Sequence, residues 1–316
     1  MKYSYFFDYK TAEKICLIYT LKCNASCGHC ITKSNISRNE KIDFETAKNI
    51  IKAAPRYNKK VIIFSGGEAM LFFDEIIELS KFASSYGIDV MIETNGYWAL
   101  NSTVTQNKLE LLKTNGLKTI FVSYDYFHSK YIPYENIKSI VRACNDLDIK
   151  CEIMFTNSTY PKEDEAILSS FKKEKLPYYE DDLLPFGNAC DMFLGVDKKS
   201  IKQLNNCDSF ATTFLPNGDV FACCNINDEN QELKKTPMYL GNLHQDNIER
   251  VFSKEKGSKF FSIISDKSLI ERFSDFVWEK GLYSDNLDKQ FFSTCDLCMF
   301  LSSNSKCLDL VHEFYS

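Results

Sequence analysis

No apolar run in this chain approaches the length of a membrane span. The opening stretch, MKYSYFFDYKTAEK, also lacks the uninterrupted apolar core of a signal peptide. A cytoplasmic protein with no membrane partner is therefore expected. A basic excess is missing too, with 38 Lys and Arg against 43 Asp and Glu and a net charge of -5. Proteins that grip a phosphate backbone carry a basic face, so no nucleic-acid partner is expected. Internal repeats and low-complexity tracts are absent. Cysteine, by contrast, is abundant, with 13 in 316 residues. A chain of this length buries a core without disulfides, and disulfides are rare in the cytoplasm. Grouped cysteines here point to metal ligation or redox chemistry.

Between Ile15 and Pro185 short apolar runs alternate with helical periodicity, the pattern of a parallel sheet with crossover helices. Strands are expected at residues 15–21, 60–64, 88–93, 118–123, 149–155 and, more weakly, 178–184. One helix is expected over 44–54, with Phe44, Ala47, Ile50, Ile51 and Ala54 on one face and Pro55 as its stop. A second runs from Ser102 as N-cap to Gly116, and a third follows Pro133. Six such units fall short of the eight of a TIM barrel, so the expected fold is α/β, a partial, open-sided (β/α)6 barrel. After Pro185 the alternation stops. The expected division is a barrel over 1–190 and a smaller α+β domain over 191–316, with a hairpin at FLPNGDVFACC and a helical stretch over 247–288.

Directly after the first expected strand comes CNASCGHC, which sets Cys23, Cys27 and Cys30 in a C-x3-C-x2-C loop. Three thiolates can hold three irons of a 4Fe-4S cube and leave the fourth iron open to a small molecule. A structural zinc site is the competing reading, but such sites usually close with four ligands. This spacing in this place resembles the radical SAM superfamily, in which the open iron chelates S-adenosylmethionine (SAM). The resemblance implies an enzyme with a catalytic 4Fe-4S cluster and SAM as cofactors. It also implies that Gly66, Gly67 and Glu68, at the end of the second strand, bind the SAM amino group. Asn95 ends the third strand, and Ser123 and Asp125 follow the fourth, all on the side where barrel active sites are built. By resemblance Ser123 and Asp125 face the ribose or its surroundings; capping of a loop is the competing reading. His29 and His128 are read as loop and structural residues.

Further on, Cys207 is followed by Gly218, Cys223 and, much later, the C-x2-C pair Cys295 and Cys298. These four resemble the ligands of a twitch/SPASM-like extension, which implies one auxiliary 4Fe-4S cluster. Structural zinc and a ligand exchange with Cys307 are the alternatives. Cys16, Cys144, Cys151 and Cys190 read as small buried hydrophobes. Cys224 adjoins a presumed ligand, and neighbouring side chains of an extended strand diverge. It is left over from the cluster, either as a packed inert thiol or as a hydrogen-atom donor like that of the radical SAM peptide epimerases. The resemblance then implies a peptide substrate, an electron donor such as flavodoxin or ferredoxin, and α-carbon epimerisation. Thioether or carbon-carbon crosslinking and small-molecule dehydrogenation are the alternative reactions.

Overall fold

The computed structural model describes residues 13–193, 198–204, 207, 211–229, 231–256, 258–264, 266–281 and 290–315. Six parallel strands begin it: β1 (Lys14–Thr20), β2 (Val61–Gly66), β3 (Asp89–Thr94), β4 (Leu117–Ser123), β5 (Lys150–Asn157) and β6 (Tyr178–Asp182). Helices α1 (Phe44–Ala53), α2 (Phe73–Ser85), α3 (Ser102–Thr114), α4 (Tyr134–Asp146) and α5 (Pro161–Glu174) cross between them. Each strand pairs in parallel with the next, as Ile15 with Ile62 and Ile63 with Met91. The expected partial barrel is therefore present.

Two boundaries differ from expectation. Helix α3 is capped by Asn101, whose side chain accepts from the Val104 N–H at 2.9 Å, and Ser102 is its first helical residue. Asn and Ser are equally good caps, so the pattern could not rank these neighbours. Helix α1 stops before Pro55 as expected but ends at Ala53, one residue short of the expected Ala54, and Pro55 enters a short 3-10 turn, Ala54–Tyr57, near its start, where a missing N–H costs little.

The later half adds β7 (Lys199–Ser200), β8 (Thr212–Phe214), β9 (Asp219–Phe221), β10 (Tyr239–Asn242) and β11 (Gln290–Phe291). The expected hairpin is β8–β9. Strand β8 lies parallel to β1, with Ile15 opposite Thr212, and so extends the barrel sheet to the order β10-β9-β8-β1-β2-β3-β4-β5-β6. Strands β7 and β11 form a separate antiparallel pair. The expected helical stretch resolves into α6 (Ile248–Lys256), α7 (Lys259–Ile264) and α8 (Lys267–Glu279), while 282–288 lies outside the described residues. Helices α9 (Thr294–Ser303) and α10 (Ser305–Phe314) end the chain.

Aromatic residues fill the interior: Phe64, Phe121, Phe155, Phe171, Phe214 and Phe221 are all buried in one continuous core. That core reaches from the barrel into the hairpin, where Phe214, Val220 and Phe221 are as deeply buried as the residues of β1. Among the described residues no helix is long and apolar enough to cross a membrane.

Candidate active site

The loop after β1 carries Cys23 and Cys27 buried and Cys30 half-buried, against Ala25, Phe127 and Ala189. Its sulfurs face hydrogen-bond donors. The Ala25 N–H points at Cys23 Sγ at 3.4 Å, the Ser34 N–H at Cys30 Sγ at 3.4 Å, and Asn95 Nδ2 at Cys23 Sγ at 3.7 Å. Burial pushes the Cys23 thiol up to about 12. A thiol so placed ionises only beside a cation, and donors aimed at sulfur are what an iron-sulfur ligand uses. The residues therefore fit a cluster.

The end of β2 is zipped to this loop. Gly67 N–H donates to Thr20 O at 2.7 Å and Glu68 N–H to Lys22 O at 2.9 Å. A Cβ on Gly66 would lie 2.4 Å from Thr20 O, and one on Gly67 would lie 2.3 Å from Lys22 O, so only glycine fits either position. Glu68 is buried and turned into the protein. Its carboxylate accepts from Met70 N–H at 3.0 Å, Thr94 Oγ1 at 2.9 Å and Asn95 N–H at 2.8 Å, tying the ends of β2 and β3 together. Burial raises it to about 7 against those donors.

A cavity of about 400 Å3 opens at the carboxyl ends of the strands. Cys23, Cys27, Cys30, Gly66, Gly67 and Asn95 line it, and Ser123, Asp125 and Cys224 complete the wall. Of the expected barrel residues only Glu68 stands outside the lining. Asp125 Oδ1 accepts from the Phe127 and His128 N–H groups at 2.8 and 3.0 Å. Its Oδ2 contacts His128 Nδ1 at 2.9 Å and His29 Nε2 at 3.4 Å. Burial works against the Asp125 charge, but the two histidines hold its carboxyl well below the usual range. His29 is thus more than a loop residue: it stacks on Phe127, with ring centres 4.3 Å apart, and faces Asp125.

Sequence reasoning missed the segment that closes over the cysteine loop. Gly187, at φ +61, would place a Cβ 2.3 Å from Cys30 O. A lone Gly-Asn pair after Pro185 offers no signal beyond a turn. It also missed Glu93, which accepts from Ser65 Oγ inside the cavity, and the β6 residues Tyr179 to Asp182 that line its open side.

A second cysteine group gathers across the sheet. Cys207, Cys223, Cys295 and Cys298, far apart in sequence, surround one small space of about 30 Å3. Cys307 is fully buried on α10 and does not line that space. Cys144 and Cys151 are buried as expected. Cys16 is buried but faces the central cavity. Cys190 corrects the reading as a buried hydrophobe: it is exposed and donates to Gly187 O at 3.1 Å, because the turn at Gly187 turns it outward. Cys224 stands on the wall of both spaces.

A partial barrel with three thiols after β1 and a double glycine after β2 is the framework of enzymes that bind SAM at an iron-sulfur cluster. The Radical SAM superfamily profile matches residues 17–170, and the chain is a radical SAM superfamily enzyme. The family implies SAM and a 4Fe-4S cluster. The chain is 22% identical, over 93% of each sequence, to a Bacillus subtilis (strain 168) protein named "Putative peptide biosynthesis protein YydG". Among solved structures it resembles anSMEcpe with bound AdoMet, at TM-score 0.55 and 14% identity over 95% of both chains. The same enzyme with AdoMet and the Kp18Cys peptide matches at TM-score 0.52 and 13% identity, over 78% of this chain and 83% of that one. BtrN in complex with AdoMet and 2-DOIA matches at TM-score 0.50 and 16% identity, over 82% and 89%. At these identities the likeness bears on the fold.

Proposed function

We propose that this enzyme modifies a ribosomally made peptide in the cytoplasm by inverting one α-carbon from L to D. The observation that carries the reading is the position of Cys224, on the wall of the same cavity as Cys23, Cys27, Cys30, Gly66 and Gly67. Cys23, Cys27 and Cys30 hold the catalytic cluster, and Gly66 and Gly67 border the amino end of SAM. Glu68 fixes that loop through Thr94 and Asn95, while Asn95, Ser123 and Asp125 border the nucleoside. Cys207, Cys223, Cys295 and Cys298 hold an auxiliary 4Fe-4S cluster.

When bound and reduced, the cluster and SAM supply a 5′-deoxyadenosyl radical that removes a hydrogen atom from the substrate α-carbon. Cys224 then returns hydrogen to the opposite face. Its S–H bond breaks homolytically, the hydrogen atom forms the new Cα–H bond, and the sulfur radical left behind regains one electron from a flavodoxin- or ferredoxin-class donor and one proton from water. A peptide substrate is supported by the printed name of the Bacillus relative and by the peptide bound to anSMEcpe.

The test is an anaerobic reconstitution with iron, sulfide, SAM, reductant and a short peptide encoded beside the gene, run in heavy water and read by mass spectrometry. One deuterium gained at an α-carbon, and lost in Cys224→Ala while 5′-deoxyadenosine still forms, is the expected result. A peptide lighter by two hydrogens would replace this reading with crosslinking or dehydrogenation.

A further inference from the structure

The residue after Cys224 reaches in two directions. Asn225 lines both the central cavity and the space among Cys207, Cys223, Cys295 and Cys298. Its Nδ2 donates to Cys295 Sγ at 3.5 Å, and its Oδ1 faces the Cys224 thiol at 3.9 Å, within reach of a hydrogen bond to sulfur. Only one orientation of the amide serves both neighbours. A thiol S–H needs the oxygen, and a ligand sulfur needs an N–H.

The segment is also pinned so that Asn225 stays in place. Asn227 Nδ2 donates to Ile31 O at 3.2 Å, one residue past Cys30. Arg38 meets Asp228 at 2.5 Å and Lys33 meets Glu229 at 2.7 Å. The stretch that follows Cys223 and Cys224 is thus clasped to the stretch that follows the three-cysteine loop.

We propose that Asn225 is a positioning residue that, by accepting from the Cys224 thiol, holds its sulfur at the wall of the central cavity and, through the same amide, donates a hydrogen bond to the Cys295 ligand of the auxiliary cluster. The inference rests on the reading of Cys224 as donor and of Cys295 as ligand. Hydrogen bonds to cluster sulfurs set reduction potential, so the second bond has a readout separate from turnover. Two substitutions separate the bonds. Asn225→Asp keeps an oxygen for the Cys224 thiol and removes the N–H from Cys295, whereas Asn225→Ala removes both.

The experiment compares wild type, Asn225→Asp, Asn225→Ala and Cys224→Ala as reconstituted enzymes of matched iron content. It measures epimerised peptide per 5′-deoxyadenosine and, by a redox titration followed by electron paramagnetic resonance, the auxiliary midpoint potential. Asn225→Ala is expected to lower the product ratio about tenfold, the effect of losing a hydrogen bond of ordinary strength at a reacting group. Asn225→Asp is expected to hold that ratio within about twofold, since the acceptor remains. Both should move the auxiliary potential downward. An unchanged ratio in Asn225→Ala, or an unchanged potential in both variants, overturns the proposal. If Cys224→Ala still yields epimerised peptide, the donor reading itself falls, a result distinguishable because the potential measurement does not depend on it.

Discussion

Asn188 holds the cysteine loop at two points, donating from Nδ2 to Cys27 O at 3.1 Å and from its backbone N–H to Cys30 O at 3.0 Å. Beside it, Gly187 leaves no room for a side chain against the Cys30 carbonyl. The pair closes over the loop like a clip, from a part of the chain that follows β6. Asn188→Ala removes one of two bonds to Cys27 O, which keeps the Cys30 N–H at 3.2 Å, at a cost of about 0.5–1.5 kcal/mol. Gly187→Ala should be worse, since its φ is in the left-handed region and the clash is with backbone. Iron retained per chain after desalting should fall in the order wild type, Asn188→Ala, Gly187→Ala. Equal iron in all three would show that the clip is irrelevant to the loop.

Gly67 makes a sharper case, because its neighbour is backbone that cannot move aside. A Cβ there would sit 2.3 Å from Lys22 O, one residue before Cys23. Gly67→Ala must push β2 away from the cysteine loop, a strain of about 1–3 kcal/mol. SAM binding, measured by calorimetry on the reconstituted enzyme, is expected to weaken about tenfold or more. Gly87→Ala, at the opposite end of the strands, is the control for backbone strain without a clash, since its φ is +71 but a Cβ there meets nothing within 4 Å. Unimpaired SAM binding in Gly67→Ala would contradict the close approach.

How much of this was legible in the sequence depended on whether a signal was local. The first five strands could be read because each carries a short apolar run, such as Ile15–Tyr19 or Val61–Phe64, buried in a parallel sheet, whereas β6, with the sequence YYEDD, is half-buried to exposed and gives a weaker signal. The three-cysteine loop was legible from spacing alone. That Cys207, Cys223, Cys295 and Cys298 share one space had to be inferred from resemblance, since no local periodicity joins residues so far apart. The extension of the sheet through β8 was not legible: a three-strand addition beside β1 depends on where the chain returns, not on its own pattern. Nor was the inward turn of Glu68. An acidic residue after two glycines reads equally as a ligand or as a brace, and its donors, Thr94 and Asn95, lie on the next strand.

The barrel and its extension are fastened by a buried ion pair. Lys59 Nζ meets Glu255 at 2.6 Å and Thr212 Oγ1 at 2.7 Å, with both charged side chains almost wholly enclosed. Removing one partner strands the other charge away from water, so Lys59→Ala should cost about 3–5 kcal/mol. Replacing both, as Lys59→Met with Glu255→Leu, should recover most of that loss, because the desolvation cost of the pair disappears with it. Melting midpoints of wild type, Lys59→Ala and the double variant make the comparison. A double variant no more stable than Lys59→Ala would mean that the pair contributes through geometry and not merely through compensating charges.

The Glu68 carboxyl should make stability depend on pH in a definite direction. Burial raises it from 4.5 to about 7, above its value in the unfolded chain. The native state therefore holds the proton more tightly, and the stability this contributes is complete below 4.5 and lost as pH rises through about 7. The shift corresponds to up to about 3 kcal/mol. Glu68→Gln cannot ionise, and the other carboxyls titrate alike in both proteins, so they cancel from the difference. Wild type should lose stability relative to Glu68→Gln between pH 5 and pH 8, by an amount of that order. The measurement is the melting midpoint of the two iron-free proteins, under reductant, across that range. Parallel profiles would mean that the donors Met70, Thr94 and Asn95 outweigh burial and keep Glu68 ionised in the folded state. A brace that stays charged would then be the better description of how β2 and β3 are joined beneath the cavity.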